Sequence, residues 1–300
     1  MNLLNKIQKK LSVTQWTIGF FRADISEVIH FQKIPKEITW IPLKKRLDFM
    51  ADPFILKDAA GNIHLLYEAF SDEKNGSIEL KILDPNFKII KEKTLLKKST
   101  HLSYPFIFKE NGKTYIIPES HQENKLSCFE YNIETQTLEN ERILIQKKSL
   151  LDATIFKKDG IYYLFANNGD GIHDNEELHI YYADSLFGEY QPHPNNPIKS
   201  NLNGARPAGS IIQTGGKIFR PAQNCKDYYG KSMTLYEITT INKSEFQEKE
   251  YCTFSADSFA KYNKGIHTIN LVDDIIVIDA MRFLFMPLTK LKYFIKKMIH

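Results

Sequence analysis

Carboxylates and cations recur in this chain at the ends of short apolar runs, where side chains from distant segments can be gathered at one point. The acids are Asp52, Glu68, Glu119 and Asp152, with Asp279 further along; the cations are His101, Arg206, Arg220, His267 and Arg282. Around a concave site such a mixture suits chemistry at an anomeric carbon. One carboxylate takes the proton of an attacking hydroxyl or water, another serves as acid, and an arginine grips carboxylate or phosphate. Asp52, Glu119 and Asp152 are the catalytic candidates. Glu68, His101, Tyr104, Arg206, Arg220, Gln223, His267 and Arg282 are the substrate-binding ones. Each also has a plainer structural reading: a turn role for Asp52 before Pro53, a solvated loop for Glu119, a satisfied core position for His267, a structural pairing of Arg206 with Asp152.

Those residues must be positioned by something that repeats. MADPFILKDAAGNIHLLYEAF (50–70) starts with an acid, runs through an apolar strand, turns at Gly61 and returns to Glu68. HLSYPFIFKENGKTYIIPES (101–120) and SLLDATIFKKDGIYYLFANN (149–168) have the same shape, turning at Asn111-Gly112 and Asp159-Gly160. A weaker copy, GARPAGSIIQTGGKIFRPAQNC (204–225), returns to Arg220 and Gln223, and GIHTINLVDDIIVIDAMR (265–282) returns to Asp279 and Arg282. Alternating apolar runs joined by N-G, D-G or G-G read as hairpins. Asp52, Tyr104, Asp152, Arg206 and His267 are equivalent, at intervals of 52, 48, 54 and 61 residues.

Five such units, with further strands between them at 77–84, 126–133, 178–184 and 233–239, predict an all-β five-bladed propeller. A β-sandwich or a pair of α/β domains fits less well, because long helix-period stretches are missing. In a propeller, equivalent residues border one axial mouth, and a hairpin of about 15 residues brings both its ends there. The predicted boundaries are an N-terminal segment, 1–47, packing on the propeller; the propeller itself, 48–282; and a basic C-terminal segment, 283–300.

Composition narrows the classes. The chain has 300 residues, 42% hydrophobic, and a net charge of +4 from 40 basic and 36 acidic side chains, too weak an excess to argue for nucleic acid. Cys128, Cys225 and Cys252 are far apart, with no metal-binding spacing and no disulfide framework, which fits a reducing compartment. The start has no secretory pattern and no apolar run reaches membrane-spanning length, so a cytoplasmic location is expected. No Walker motif, dinucleotide glycine fingerprint or HExxH occurs, no metal site is expected, and the cofactor is left unknown. HDNEE (173–177) reads as a solvated acidic loop.

The ordered succession ADPFIL, HLSYPFIFKENGKTYIIPES, LLDATIF, YYADSLFGEYQPHPNNPI, GARPAGSII, IFRPAQNCKDYYG and GIHTIN, spanning about 48–282, resembles the N-terminal domain of glucosamine inositolphosphorylceramide transferases, also found alone or fused to formyltransferase-like domains in bacteria. That domain is similar to the propellers of arabinanase, xylosidase and levansucrase type enzymes, so the resemblance implies the fold and a carbohydrate role. Against those glycosidases it places Asp52 at the first-blade general base. The second-blade acid falls near Tyr104, so Asp152 or Glu119 has to supply the proton donor. Transfer from an activated sugar needs no strong acid, since a nucleotide or phosphate leaves readily.

The ends share a theme. MRFLFMPLTKLKYFIKKMIH (281–300) reads as a basic amphipathic helix from about Leu288, and MNLLNKIQKKL (1–11) carries three lysines. Packing across the propeller to close the ring is one expectation, and peripheral attachment to an anionic membrane surface the other. The expected activity is glycosyl transfer from an activated donor in surface polysaccharide or glycolipid synthesis, on a carbohydrate or sugar-phosphate substrate with a lipid-linked acceptor. The alternatives are a glycoside hydrolase and a non-catalytic glycan-binding propeller.

Overall fold

The structure, a computed structural model, describes residues 10–70 and 75–290. It is a ring of five antiparallel sheets, each a blade. The chain enters through β1 (Ser12–Arg22), a short helix α1 (Ile25–His30) and β2 (Thr39–Trp40). Blade 1 is β3 (Phe49–Lys57), β4 (Ile63–Phe70), β5 (Ser77–Leu83) and β6 (Ile89–Leu96), from axis to rim. Blade 2 is β7 (Ser103–Glu110), β8 (Lys113–Glu119), β9 (Lys125–Asn132) and β10 (Thr137–Gln146). Blade 3 is β11 (Leu150–Lys158), β12 (Ile161–Asn168) and β13 (Glu177–Ala183), edged by β14 (Gln191–Pro192) and β15 (Lys199–Ser200). Blade 4 has β16 (Asn203–Pro207) and β17 (Ile212–Thr214) on its inner side, then β18 (Lys217–Asn224), β19 (Ser232–Ile241) and β20 (Phe246–Ser255). The last strands, β21 (Ile269–Val272) and β22 (Ile275–Phe285), start blade 5.

Blade 5 is completed from the other end of the chain. β1 pairs with β22 along its whole length, from Ser12 opposite Phe285 to Arg22 opposite Ile275, and β2 adds the outer edge. The boundary expected at residue 48 is thereby corrected: residues 12–40 are strands of the ring, which is how the two ends close it. Residues 287–290 form a first helical turn, with the Lys290 amide donating to the Met286 carbonyl. The rest of the basic segment expected there, and residues 1–9, lie outside the described residues.

Hairpin chemistry explains the local geometry. Asn111 and Gly112, and likewise Asp159 and Gly160, all have positive φ, which the tight turns joining right-twisted strands require. Each blade is covered on both faces, so strands such as β4 are apolar in succession rather than in strict alternation, with Leu65 and Leu66 both fully buried. They serve different layers: Leu65 packs with Ile18, Phe20 and Val277 between blades 5 and 1, and Leu66 with Ile116 and Tyr131 between blades 1 and 2. The hydrophobic core is accordingly a circle of sandwiches between neighbouring blades.

Candidate active site

The innermost strands of blades 1 to 3 carry the same irregularity. Their register slips between Ala51 and Phe54, between Ser103 and Phe106, and between Leu151 and Thr154. Within the slips Asp52, Tyr104 and Asp152 have φ of 50°, 41° and 51°. Positive φ is uncommon for Asp and an outlier for a residue as bulky as Tyr, so each bulge must be held by its surroundings. The second strand of the preceding blade holds two of them. Asp279 Oδ2 accepts the Asp52 amide at 3.0 Å, and Glu119 Oε2 accepts the Asp152 amide at 3.0 Å. Tyr104 is tied through its hydroxyl, which lies 2.8 Å from Thr154 Oγ1 and accepts the Gly209 amide at 2.8 Å. Gly209 has φ of 126°, and a Cβ there would meet the Ile269 carbonyl at 2.0 Å, so the last glycine of GARPAG is needed for blades 4 and 5 to close.

Above these bulges a cavity of about 290 Å³ opens at the axis. Of the residues expected at the site, Asp52, Glu68, His101, Glu119, Arg206 and His267 line it. Asp152 and Gln223 lie directly beneath: Arg206 Nε donates to Asp152 Oδ2 at 2.6 Å, and Gln223 Nε2 donates to the same oxygen at 3.1 Å. Tyr104 sits deeper, its ring edge-on to Phe54 with 4.9 Å between ring centres.

Arg220 and Arg282 are not at the site, and parity along the strand is the reason. Each stands three residues from an inward-pointing neighbour, Gln223 and Asp279, and side chains an odd number apart project from opposite faces of a sheet. Arg220 is buried with Glu248, to which Nε and Nη2 donate at 2.8 and 2.7 Å. Arg282 Nε donates to Gln15 Oε1 at 2.7 Å.

Other lining residues went unread in the sequence: Phe49, Ser103, His121, Leu151, Asp174 and Tyr229. Phe49, Ser103 and Leu151 lie beside the bulges, and His121 is two residues past Glu119, so repeat position would have found them. Asp174 corrects the reading of HDNEE as a solvated loop. That loop bends over the mouth, with Asp174 on the cavity wall and Asn175 Oδ1 accepting Arg206 Nη1 at 3.1 Å. Tyr229, from KDYYG, has its ring centre 5.3 Å from the Arg206 guanidinium and 5.3 Å from the His267 ring.

The electrostatics divide the carboxylates by role. Burial pushes Asp52 well above the ordinary carboxylate range; His267 opposes this, and Glu68, Asp152 and Asp279 add to it. Thr268 Oγ1 donates to Asp52 Oδ1 at 3.0 Å, with His267 Nε2 at 3.4 Å from the same oxygen. Asp152 is raised to about 7 by burial, against the pull of Arg206. Burial would also raise Glu119, but the hydrogen bond from His121 (2.9 Å), the charge of Arg206 and a hydrogen bond with the Asp152 side chain outweigh it and hold it low, at about 2. Glu119 is therefore a fixed anion that positions its neighbours. Asp152 and Glu119 titrate as a pair, with Asp152 the more basic partner.

His267 is buried, which by itself would favour the neutral ring, but Asp279, 2.7 Å from Nδ1, and Asp52 raise it to about 9. Asp52, His267 and Asp279 bring ligand-type atoms within 4.8 Å of one another. Two carboxylates and an imidazole are a donor set that could hold a metal ion; without one they form an ion-pair cluster in which Asp279 accepts the amides of Asp52, His267 and Thr268. A pH dependence follows. A histidine whose pKa rises on folding contributes stability that is complete below the unfolded value and lost as pH climbs through the folded one. The melting temperature should fall between about pH 6.5 and 9, and His267→Gln should flatten that slope in pH-stepped thermal melts.

Fold and site together define the class: a five-bladed β-propeller whose axial pocket is built from buried carboxylates, arginine and histidine. Two solved structures illustrate the architecture. A β-1,3-galactosidase of glycoside hydrolase family 43 superimposes with a TM-score of 0.54 at 13% identity, covering 68% of this chain and 76% of that one. An exo-β-1,3-galactanase from Clostridium thermocellum gives 0.55 at 12%, covering 67% and 49%.

The particular family comes from sequence comparison. Residues 43–272 match the family model described as glucosamine inositolphosphorylceramide transferase 1, N-terminal, and the chain belongs to that family. Glucosamine inositolphosphorylceramide transferase 1 of Arabidopsis thaliana is 32% identical over 209 residues, 68% of this chain. The chain spans 27% of that relative's length.

Proposed function

We propose that this chain is a glycosyltransferase that moves a sugar from an activated donor to a hydroxyl of a glycolipid or surface-glycan acceptor. The observation that carries the reading is the pairing, in one small cavity, of a buried carboxylate of raised basicity, Asp52, with the fixed cation Arg206. The family's name, glucosamine inositolphosphorylceramide transferase, supports the same class of acceptor. In the proposed step Asp52 takes the proton of the acceptor hydroxyl as its oxygen bonds to the anomeric carbon. The bond from that carbon to the donor's phosphate oxygen breaks, and the phosphate leaves with the electron pair beside the Arg206 guanidinium. Glu119, as a permanent anion, holds the Asp152 bulge and thereby the Arg206 fork.

A second reading, hydrolysis with water as acceptor, is favoured by Asp152, whose pKa of about 7 suits a general acid. Purified protein incubated with a panel of nucleotide sugars and sugar phosphates, with and without glycolipid acceptors, separates the two by mass spectrometry. Transfer predicts acceptor-dependent loss of the donor and a product heavier by one sugar. Release of free sugar from glycosides without an acceptor would establish hydrolysis instead.

Arg206→Lys keeps the charge but removes the planar fork that bonds Asp152 and Asn175 together. If the guanidinium also grips donor phosphate, affinity for that donor should drop roughly tenfold or more, as expected for losing a charge-assisted hydrogen bond. Calorimetric titration and a thermal melt on one preparation check this. Unchanged affinity in a well-folded variant would leave Arg206 a purely structural partner of Asp152.

A further inference from the structure

Chain topology brings the start of β1 and the end of β22 out on the face that carries the pocket. β22 passes Asp279 at the axis and continues to Phe285, and β1 begins opposite that end, with Ile18 against Asp279 and Ser12 against Phe285. At about 3.3 Å per residue this ribbon rises ~20 Å beyond Asp279. Its base joins the pocket rim, where Phe283 and Tyr228 lie with ring centres 5.8 Å apart and pack, as the pocket residue Phe49 does, against Trp16, Ala51 and Met281. From its tip the chain extends in both directions, and residues 1–11 and 286–300 together hold seven lysines (Lys6, Lys9, Lys10, Lys290, Lys292, Lys296, Lys297) and no Asp or Glu.

Large apolar side chains stand exposed on the same side. Phe285 is 50% and Leu288 76% exposed, and across the mouth Ile172 is 77% exposed on the loop that places Asp174 on the cavity wall. The opposite face carries balanced charge: its hairpin turns hold Asp159, Asp273 and Asp274, paired with Lys158, Lys57 and Arg22 respectively. Exposed apolar residues occur at that end too, Phe31 after α1 and Ile90 at the start of β6.

We infer that the pocket face docks on an anionic lipid bilayer, with Phe285, Leu288 and Ile172 entering the interface and the terminal lysines lying against the headgroups. Apolar side chains flanked by basic chain fit this surface, because neither term alone holds a protein on a membrane while the two together do. The pocket then opens toward the bilayer, where an acceptor anchored by its lipid is presented. Docking stands apart from the transfer reading, and its test requires no activity.

Cys128, Cys225 and Cys252 are all buried, so one introduced cysteine is the reactive one. The full chain carrying Ile172→Cys at the pocket mouth, or Ala60→Cys at the opposite turn, is labelled with an environment-sensitive fluorophore. It is mixed with vesicles of phosphatidylcholine alone or of equal parts phosphatidylcholine and phosphatidylglycerol. Partition should favour the anionic vesicles roughly tenfold or more and weaken as salt is raised. The label at 172 should shift to the blue and be quenched by nitroxide lipids, with the label at 60 unchanged. Phe285→Ser with Leu288→Ser, checked for an unaltered melt, should lower partition several-fold. Equal partition between the two vesicle types, a response at 60 in place of 172, or full binding by the double variant would each overturn the inference.

Discussion

Asp52→Asn should lower turnover by ~10²–10⁴ while leaving donor affinity nearly intact, the loss typical of removing a general base. The substitution keeps the shape of the side chain and leaves an oxygen for the Thr268 hydroxyl, so the bulge that presents residue 52 survives. What disappears is a carboxylate made more basic by burial, with His267 limiting the rise. The native pH profile carries the same signature. Activity should climb as pH passes upward through the raised pKa of Asp52, and that acidic limb should vanish from the residual rate of the variant. Initial rates across pH, with donor binding measured separately, check both parts. Full turnover by a folded Asp52→Asn protein would remove Asp52 from the chemistry.

The second large effect is on folding. Asp279 is fully buried and accepts the backbone amides of Asp52, His267 and Thr268 while standing 2.7 Å from His267 Nδ1. Asp279→Ala would leave those amides without acceptors and an imidazolium without its nearest counter-charge. Breaking a buried pair in this way costs ~3–5 kcal/mol. For a chain of this size that corresponds to about 5–8 degrees in melting temperature. Asp279→Asn, which keeps an oxygen for the amides, should lose less stability yet return His267 toward its ordinary pKa. Denaturant titration of the three proteins side by side gives the comparison. A midpoint for Asp279→Ala equal to the parent's would show that the carboxylate holds nothing together.

Asp279 also marks the limit of what the sequence by itself determines. Strand pattern, turn residues and the phase of the repeat depend on neighbours a few positions apart, because backbone φ, side-chain alternation and hairpin length are local quantities. Five hairpins, their N-G and D-G turns and the equivalence of Asp52, Tyr104 and Asp152 were legible for that reason, and from them the gathering of Glu68, Glu119, Arg206 and His267 at one mouth. Arg220 and Arg282 could have been excluded on the same local ground, since strand parity sets them on the far face from Gln223 and Asp279.

Contacts between distant segments were decided only by the tertiary structure. Asp279 meets the Asp52 amide across 227 positions, and β1 closes the ring against β22, because the circle brings its last blade back to its first. The acidities of Glu119 and Asp152 belong to the same level. Both are buried acids beside one arginine, yet one is held at about 2 and the other raised to about 7. The two move apart because each acts on the other, Glu119 raising Asp152 and being lowered by its hydrogen bond, in a site shielded from water where charges act strongly over a few ångströms, and those few ångströms exist only after the blades have packed.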